Sequence, residues 1–371
     1  MIPERVFRES VLGLLEPIRA FLDAGDVAEI LINGHEEVYV ERRGRLEKTP
    51  ARFDSEHALE AAVRNIAQFV GRQVGPERPI LEARLPDGSR VEAILPPVSR
   101  RGIVVAIRKF SRDTITCDAL VRIGSLSASA ARFLESCIRV KRNILIAGGT
   151  GSGKTSLLAA LAAALPDHER IVVIEDSSEL KLRQPHVLSL EGRPRDATGQ
   201  GEVTIRELLR ATLRLRPDRI VVGEVRGGEA LDLVQSMISG HGGGISTVHA
   251  TRAPDALRRV ETLALMADIG LPLGALRGQI ASAIDVIVLI ERMQDGSRKV
   301  THISEAVGLD EQGNYFVNDL FQFELAMIDE RTGRIQGDLD PTGIAPTFWH
   351  EFEPHGEKLD PQLVALWERA G

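Results

Sequence analysis

Residues 144–155 read Ile-Leu-Ile-Ala-Gly-Gly-Thr-Gly-Ser-Gly-Lys-Thr, an apolar run followed by a glycine-rich loop and then by Lys154 and Thr155. The spacing fits the pattern G-x-x-x-x-G-K-[ST]. Residues 143–147 are typical of a buried parallel strand, and the run from 156 to 165, which stops at Pro166, is typical of a helix. A strand, a glycine loop and a helix N-terminus together present backbone N–H groups that bind phosphate oxygens.

The loop is predicted to bind ATP with Mg²⁺. Lys154 can reach the β- and γ-phosphates, and the hydroxyl of Thr155 can bind the metal. The residues expected to line the nucleotide phosphates are Gly149, Thr150, Gly151, Ser152, Gly153, Lys154, Thr155 and Ser156. A glycine-rich turn that binds nothing is the alternative, but the flanking strand and helix favour phosphate binding.

Composition narrows the class of protein. The chain has 371 residues, of which 43% are hydrophobic, so it can bury a sizeable core in two or more domains. The net charge of −7 does not favour a nucleic-acid partner. Cys117 and Cys137 lack metal-ligand spacing and suit a reducing compartment. With no signal-peptide pattern and no apolar run near the roughly 20 residues of a membrane span, a cytoplasmic protein is expected.

Hydrophobic patterning predicts a small N-terminal domain. Helical spacing over 4–23 and 54–71 alternates with strand candidates that end near residue 110, so residues 1–112 are predicted to be an α+β domain with an antiparallel sheet. Residues 113–126 are polar and irregular, and they are predicted to be a linker.

The second domain, 127–371, is predicted to be α/β with a mostly parallel sheet, because strand and helix patterns alternate along it. The strand candidates are 143–147, 170–175, 219–223, 245–248 and 285–291, and the helix candidates are 127–140, 154–165, 203–215 and 228–239. The tail, from about 292 to 371, contains repeated turn signals and is expected to be rich in strands.

Charged side chains follow three of these strands. Glu175 and Asp176 come after one strand, Glu224 and Arg226 after the next, and His249 after a third. Ligands of such sheets bind beyond the carboxyl ends of the strands, where the phosphate loop also lies. Hydrolysis of a terminal phosphate needs an oriented water and a metal countercharge, which carboxylates can provide and support. One acid at a strand end is usually a helix cap, but three such ends favour a catalytic site.

Four stretches in the same order resemble motifs of the type II/type IV secretion ATPases. Besides the phosphate loop, residues 174–180 resemble their aspartate box, residues 213–227 their Walker B segment and residues 240–250 their histidine box. Residues 83–91 and 107–110 look like the N-terminal domain of the CpaF-like branch, which powers tight-adherence (Flp-type) pili. The resemblance extends over about residues 25–325.

The resemblance implies a RecA-like P-loop ATPase domain in a homohexameric ring that powers pilus assembly or protein secretion. Lys154 and Thr155 match the phosphate and Mg²⁺ contacts. Glu175 matches the acid that activates water, and Glu224 matches the Walker B glutamate beside the metal. His249 matches the histidine that senses the γ-phosphate. The implied partners are inner-membrane platform proteins, with peripheral association at the inner membrane and no nucleic acid.

Further residues carry over with the resemblance. His241 lies in the histidine box, and Arg84, Arg90 and Arg108 lie on N-terminal segments that bring positive charge to the nucleotide in relatives. Arg214 and Arg216, before the Walker B strand, are either a solvated helix end or arginine fingers acting within or across subunits. The two cysteines cannot build the tetracysteine zinc module of the type II branch, which excludes that branch.

Other functions remain open at this point. The nearest alternative is an ATPase of conjugation or type IV secretion. A RecA-like nucleic-acid motor shares the phosphate loop and the parallel sheet, although the histidine box and the acidic balance argue against it. The third is a nucleotide-gated scaffold that binds ATP without appreciable turnover.

Overall fold

The structure, a computed structural model, describes residues 4–42, 44–109, 115–195, 199–330 and 332–370. The chain divides into two compact units, Met1–Arg112 and Asp113–Gly371. The first unit has one hydrophobic core, and the second has two, one on each face of its sheet.

The first unit is a single antiparallel sheet with helices. Its strands run in the order β3-β2-β1-β6-β5-β4. The elements are α1 (Glu4–Leu14), α2 (Arg19–Asp23), β1 (Val27–Asn33), β2 (Val38–Arg42), β3 (Arg45–Lys48), α3 (Glu56–Phe69), β4 (Ile80–Arg84), β5 (Arg90–Ile94) and β6 (Val104–Arg108). The predicted helix over 4–23 is interrupted by a 3₁₀ turn, Glu16–Ile18, because Pro17 has no N–H to continue an α-helix.

The second unit is built on a nine-stranded sheet. The elements up to the last parallel strand are α4 (Cys117–Arg122), α5 (Ala128–Arg139), β7 (Ile144–Ala147), α6 (Lys154–Ala162), β8 (Ile171–Glu175), β9 (Val187–Glu191), α7 (Ile205–Thr212), β10 (Arg219–Val222), α8 (Glu229–Ile238), β11 (Ile245–Val248), α9 (Ala253–Leu265), α10 (Leu273–Ala283) and β12 (Val286–Arg292). The tail adds β13 (Arg298–Leu309), β14 (Tyr315–Ile328), β15 (Ile335–Pro341) and α11 (Pro361–Ala370).

The strands of this sheet lie in the order β15-β14-β13-β12-β7-β11-β10-β8-β9. The six strands from β12 to β9 are parallel, and β13, β14 and β15 continue the sheet as antiparallel strands. The predicted fold class, a mostly parallel α/β sheet after a small α+β domain, is confirmed.

Strand β7 shows why this sheet needs helices on both faces. Ile144 and Ile146 pack into the core that contains α5 and α6, while Leu145 and Ala147 pack into the core that contains α8, α9 and α10. Alternate residues point to opposite faces, so a strand covered on both sides is continuously apolar. This continuous burial made the central strands recognisable from sequence.

The predicted linker differs from the structure. Residues 113 and 114 lie outside the described residues, but the rest of 113–126 contains α4. The hydroxyl of Thr116 caps this helix by accepting a hydrogen bond from the Ala119 N–H, at 3.2 Å. Cys117 and Leu120 belong to the core of the second unit. The segment is therefore part of the second unit and not an irregular connection.

The tail follows the prediction up to β15 and then departs from it. The expected strands join the main sheet, but α11 was not predicted, and it buries Leu363 and Trp367 against the core that contains α5. Helices α9 and α10 and the edge strand β9 were not predicted either. Within the described part of the chain, no helix has both the length and the apolar character to cross a membrane.

Candidate active site

The phosphate loop, residues 148–153, joins the carboxyl end of β7 to the N-terminus of α6. Gly151 and Gly153 have φ angles of 69° and 100°, in the left-handed region where side chains cause strain. A Cβ on Gly148 would lie 2.3 Å from the Ile290 carbonyl oxygen, so the loop needs glycine where it packs against β12. The loop therefore curves tightly around the first turn of α6, whose backbone N–H groups attract anions.

Lys154, the first residue of α6, is buried although it carries a charge; only 8% of it is exposed. Its Nζ donates to the carbonyl oxygens of Gly148, at 3.1 Å, and Gly149, at 2.9 Å. The same Nζ lies 3.4 Å from Nδ1 of His249. The loop's own carbonyls thus hold the ammonium group at the point where a phosphate oxygen would compete for it.

The side chains at the strand ends form one connected network. His249 Nε2 lies 2.7 Å from Glu224 Oε1, and the other oxygen of Glu224 accepts a hydrogen bond from Arg226, also at 2.7 Å. Arg226 in turn donates to Asp176, at 3.2 Å. With the Lys154–His249 contact, this network runs from the phosphate loop across the ends of β11, β10 and β8. The predicted convergence of these strand ends is therefore present.

Burial lowers the pKa of His249, and the neighbouring positive charge of Lys154 lowers it further, against the opposing effect of Glu224. The imidazole is therefore neutral at pH 7. Because the Lys154 ammonium faces Nδ1, the geometry suits the tautomer with its proton on Nε2, next to the Glu224 carboxylate. His249 is thereby placed to respond to a charge that arrives at Lys154.

Glu175, the last residue of β8, is 5% exposed. Its carboxylate accepts hydrogen bonds from the backbone N–H groups of Glu179, at 3.1 Å, and Leu180, at 3.2 Å. A Cβ on Gly223 would lie 2.9 Å from Cγ of Glu175, so the glycine before Glu224 leaves room for this carboxylate between β8 and β10. Glu175 is thus held by backbone N–H groups next to Gly223, the residue before Glu224.

Two hydroxyl groups of the loop region differ in their surroundings. Ser152 is buried, and its Oγ has no hydrogen-bond partner among the described residues. Thr155 is partly exposed in the first turn of α6, and Ser156, one residue later, is exposed. A buried hydroxyl without a partner costs free energy, which a ligand oxygen at the loop would recover.

The residues fit a magnesium ion of the kind that accompanies a bound nucleotide. Mg²⁺ binds hard oxygen ligands and keeps several waters, so it needs only one or two protein oxygens beside the phosphates. The Thr155 hydroxyl, in the first turn of α6, and the Glu224 carboxylate, after β10, are oxygen donors of this kind. Across the described ranges there is no group of three or more His, Cys, Asp or Glu residues for a metal without nucleotide.

Three predicted site residues lie elsewhere. We define the carboxyl edge as the loops that follow β7, β8, β10, β11 and β12, and the amino edge as the loops that precede these strands. His241 precedes β11, and Arg214 and Arg216 precede β10, so all three lie at the amino edge. A four-residue strand spans about 13 Å. The structure therefore does not bring them to the phosphate loop of the same chain.

The three predicted arginines of the first unit form a row. Arg84 on β4 is paired in register with Arg90 on β5, and Arg90 is paired with Arg108 on β6. The next residue across the sheet, on β1, is Glu29. Side chains at paired positions point to the same face, so the row concentrates positive charge on one face of the first unit.

Two arginines that were not predicted touch the phosphate loop. Arg298, at the start of β13, donates from Nε to the Gly151 carbonyl oxygen at 3.1 Å, and its stem packs against Gly153. Arg292, its register partner on β12, lies beside Gly151. The sequence contains a signal for this contact. The turn at Asp295-Gly296 predicts a hairpin in which the following strand pairs with β12, a strand that ends at the carboxyl edge.

Comparison with known proteins agrees with this geometry. Residues 14–324 match the family model described as "Type II/IV secretion system protein". The chain belongs to this family. The type IV secretion system protein PtlH of Bordetella pertussis is 39% identical over 326 residues, covering 80% of this chain and 95% of PtlH. A putative conjugal transfer protein of Mycobacterium tuberculosis is 36% identical over 298 residues, covering 79% and 83% of the two chains.

Solved structures agree on the fold of this secretion-family protein. The pilus retraction motor PilT with bound ADP has 18% identity and a TM-score of 0.56 over 96% of this chain and 89% of PilT. The ATPase DotB of Legionella pneumophila has 20% identity and a TM-score of 0.53, covering 81% and 80%. The family predicted from the motifs is confirmed: the chain is a type II/IV secretion system protein. The CpaF-like branch within the family stays a prediction.

Proposed function

We propose that this secretion system protein hydrolyses ATP at the carboxyl edge of its second unit and, as a homohexamer, powers pilus assembly or protein secretion at the bacterial inner membrane. The observation that carries the proposal is the placement of Lys154. A buried ammonium group is held by loop carbonyls and contacts a neutral histidine that leads to Glu224. This arrangement is suited to detect and neutralise an arriving polyphosphate.

Binding would proceed by exchange of hydrogen-bond partners. The β- and γ-phosphates enter the phosphate loop, and Lys154 Nζ leaves the Gly148 and Gly149 carbonyls for phosphate oxygens, a stronger charge-assisted bond. The Ser152 hydroxyl gains a partner in the same event. Thr150, Gly151 and Gly153 contribute backbone N–H groups to the nest.

Hydrolysis needs a water placed in line with the terminal phosphate. Glu175 orients this water, because its carboxylate is fixed by two backbone N–H groups beside the Glu224 segment. Glu224, held between His249 and Arg226, would bind Mg²⁺ together with Thr155. When bound, Mg²⁺ neutralises charge on the β- and γ-phosphates. When the terminal phosphate leaves, negative charge near His249 is removed. Hydrolysis would thereby be linked to the hydrogen bonds that join His249, Glu224 and Arg226.

In this proposal, the arginines that lie far from the phosphate loop of their own chain contribute only in the assembled oligomer. Arg214 and Arg216 lie at the amino edge, so they reach a nucleotide only if a neighbouring subunit presents them. His241 belongs to the same edge. For Arg84, Arg90 and Arg108, a role in bringing positive charge to the nucleotide stays a prediction that rests on the family resemblance.

The machine that the motor serves is proposed from the resemblance and the relatives. A CpaF-like motor would work in the cytoplasm against inner-membrane platform proteins of a pilus. A second candidate is conjugation or type IV secretion, favoured by the names of the relatives from Bordetella pertussis and Mycobacterium tuberculosis. Co-purification with tagged pilus platform proteins, or with type IV secretion components encoded beside the gene, separates the two.

The proposed function is tested by steady-state ATP turnover, measured with and without single-stranded DNA, together with sedimentation in the presence of a non-hydrolysable ATP analogue. We expect turnover that DNA does not stimulate, and a sixfold assembly with the analogue. Strong DNA stimulation with a steep salt dependence would identify a nucleic-acid motor instead. Tight nucleotide binding without turnover, even with partner domains present, would identify a scaffold.

A further inference from the structure

A cavity of about 510 Å³ lies beside the first half of the phosphate loop. Residues 148–150 form one wall, and residues 249–251, which follow β11, form the next. The remaining wall is one face of α9, which presents Asp255, Arg258, Arg259 and Thr262. Asp255 lies three and four residues before the adjacent pair Arg258 and Arg259, and Thr262 lies four and three residues after them, so the four share a face. None of them belongs to the motifs that predicted the active site.

The two adjacent arginines of this wall are not equivalent. Arg258 is paired with Asp255, at 3.2 Å between Nη1 and Oδ1. Arg259 makes no ion pair or hydrogen bond with any residue that the structure describes, and its side chain is exposed to the cavity. The net positive charge of the wall therefore comes from Arg259. Its charge also contributes, after burial, Lys154 and Arg226, to lowering the pKa of His249, which lines the same cavity.

The position of the cavity identifies the chemical class of its ligand. Gly148 and Gly149, which line it, are the residues whose carbonyls hold Lys154, and His249 lines it too. A lysine at this position neutralises the terminal phosphates of a nucleotide. The cavity therefore opens next to the terminal phosphate, and its cation faces a dianion produced there. A planar guanidinium binds phosphate through two parallel hydrogen bonds.

We propose that this cavity binds the inorganic phosphate that hydrolysis releases, and that Arg259 holds it. Arg258 contributes little, because Asp255 neutralises it. The inference rests on the proposed hydrolysis at the same edge. The phosphate would leave Lys154 and His249 for Arg259 before it reaches solvent, so the state with ADP and phosphate both bound has a defined place for each product.

The test is titration of inorganic phosphate onto the ADP-loaded protein, followed by calorimetry, with no turnover required. Arg259→Ala should weaken phosphate binding by about tenfold or more, the usual effect of losing a charged hydrogen-bond partner, and Arg259→Lys should recover part of it. Asp255→Asn should strengthen phosphate binding several-fold, because it frees Arg258. Arg252→Ala is the matched control, since Arg252 is exposed on the same segment but does not line the cavity.

ADP affinity and melting temperature, measured on every variant, show that the loop and the fold are intact. Unchanged phosphate affinity in Arg259→Ala, or an equal loss in Arg252→Ala, overturns the proposal. The proposal is also overturned if Arg259→Ala loses affinity for the ATP analogue while its phosphate affinity is unchanged. That result would make Arg259 a ligand of the bound nucleotide. Because phosphate binding is measured without hydrolysis, a protein that fails to turn over ATP refutes the proposed function but leaves this measurement decisive.

Discussion

The two edges of the second unit's sheet hold their charges in different ways. At the amino edge, Arg219 is fully buried, and its Nη2 donates to Glu169 at 3.2 Å in a pair that α-helices and strands enclose. Asp285 accepts hydrogen bonds from the Asn143 backbone, at 2.8 Å, and from Arg142, at 3.0 Å. Each of these charges is fixed by partners on neighbouring elements.

At the carboxyl edge, several charged side chains share their partners with one another, and some are more exposed to solvent than the pairs of the amino edge. Lys154 rests on two loop carbonyls, while the side chains of His249 and Arg226 are 44% and 57% exposed. Glu224 lies between these last two side chains. Such contacts can be exchanged for phosphate oxygens at low cost, whereas a buried pair cannot open without leaving a charge in the core. The contrast separates charges that maintain the fold from charges that perform the reaction.

The largest effect should come from removing the cation at the carboxyl edge. Lys154→Ala should lower ATP turnover at least about a thousandfold, because charge on the transferred phosphoryl group is no longer neutralised. The control is Lys141→Ala at the amino edge, where Nζ lies 3.6 Å from Glu169 and the side chain is half exposed. We expect that variant to keep turnover within about twofold. Retained phosphate release in Lys154→Ala would remove the contrast between the edges.

The next effect should be on stability and not on chemistry. Arg219→Met leaves the Glu169 carboxylate buried without its main partner, so the free energy of unfolding should fall by about 3 kcal/mol. Urea denaturation measures this change, and turnover per folded molecule should be nearly unaffected. Replacing both residues, Arg219→Met with Glu169→Met, should recover most of the loss. A double variant no more stable than the single one would contradict this view of the amino edge.

A smaller effect is expected at Glu224. Glu224→Gln keeps the size of the side chain but removes the charge between His249 and Arg226, so ATP should still bind while turnover falls about a hundredfold. Binding is measured with a fluorescent nucleotide and turnover by phosphate release. If the turnover rate does not change, Glu224 has no part in the mechanism.

The smallest effect is a shift along the pH axis. Burial and Lys154 lower the pKa of His249, so the midpoint of imidazole protonation lies below the ordinary value of 6.5. The acid decline of turnover should therefore be centred below pH 6.5, because protonation places a second cation beside Lys154. His249→Gln should lose this acid decline. A decline centred above pH 6.5 would contradict the geometry.

Most of the sheet could be predicted because its central strands are buried on both faces. β7, β8, β10 and β11 are buried along their whole length, and apolar residues dominate β7, β8 and β10, whereas β11 also buries Ser246 and Thr247. The edge strand β9 is only partly buried and shows no such continuous burial. Helix α4 was missed because a short helix between polar residues has little periodicity, and tertiary packing of Cys117 and Leu120 stabilises it.

The same logic explains which site residues could be found. Glu175 ends β8, Glu224 and His249 follow β10 and β11, and the structure brings these strand ends together. His241, Arg214 and Arg216 precede strands, and that order alone indicates the opposite edge. Arg298 and Arg259 have no motif of their own. Their positions depend on the β12–β13 hairpin and on α9 packing beside the loop, which a single sequence does not display.

The account depends most on the phosphate loop as the place where ATP is held. A crystal structure of the protein with Mg²⁺ and a non-hydrolysable ATP analogue tests it directly. We expect the β- and γ-phosphates within residues 148–155, with Lys154 Nζ moved from the Gly148 and Gly149 carbonyls onto phosphate oxygens. An analogue bound at another place, with Lys154 still on those carbonyls, would contradict the account.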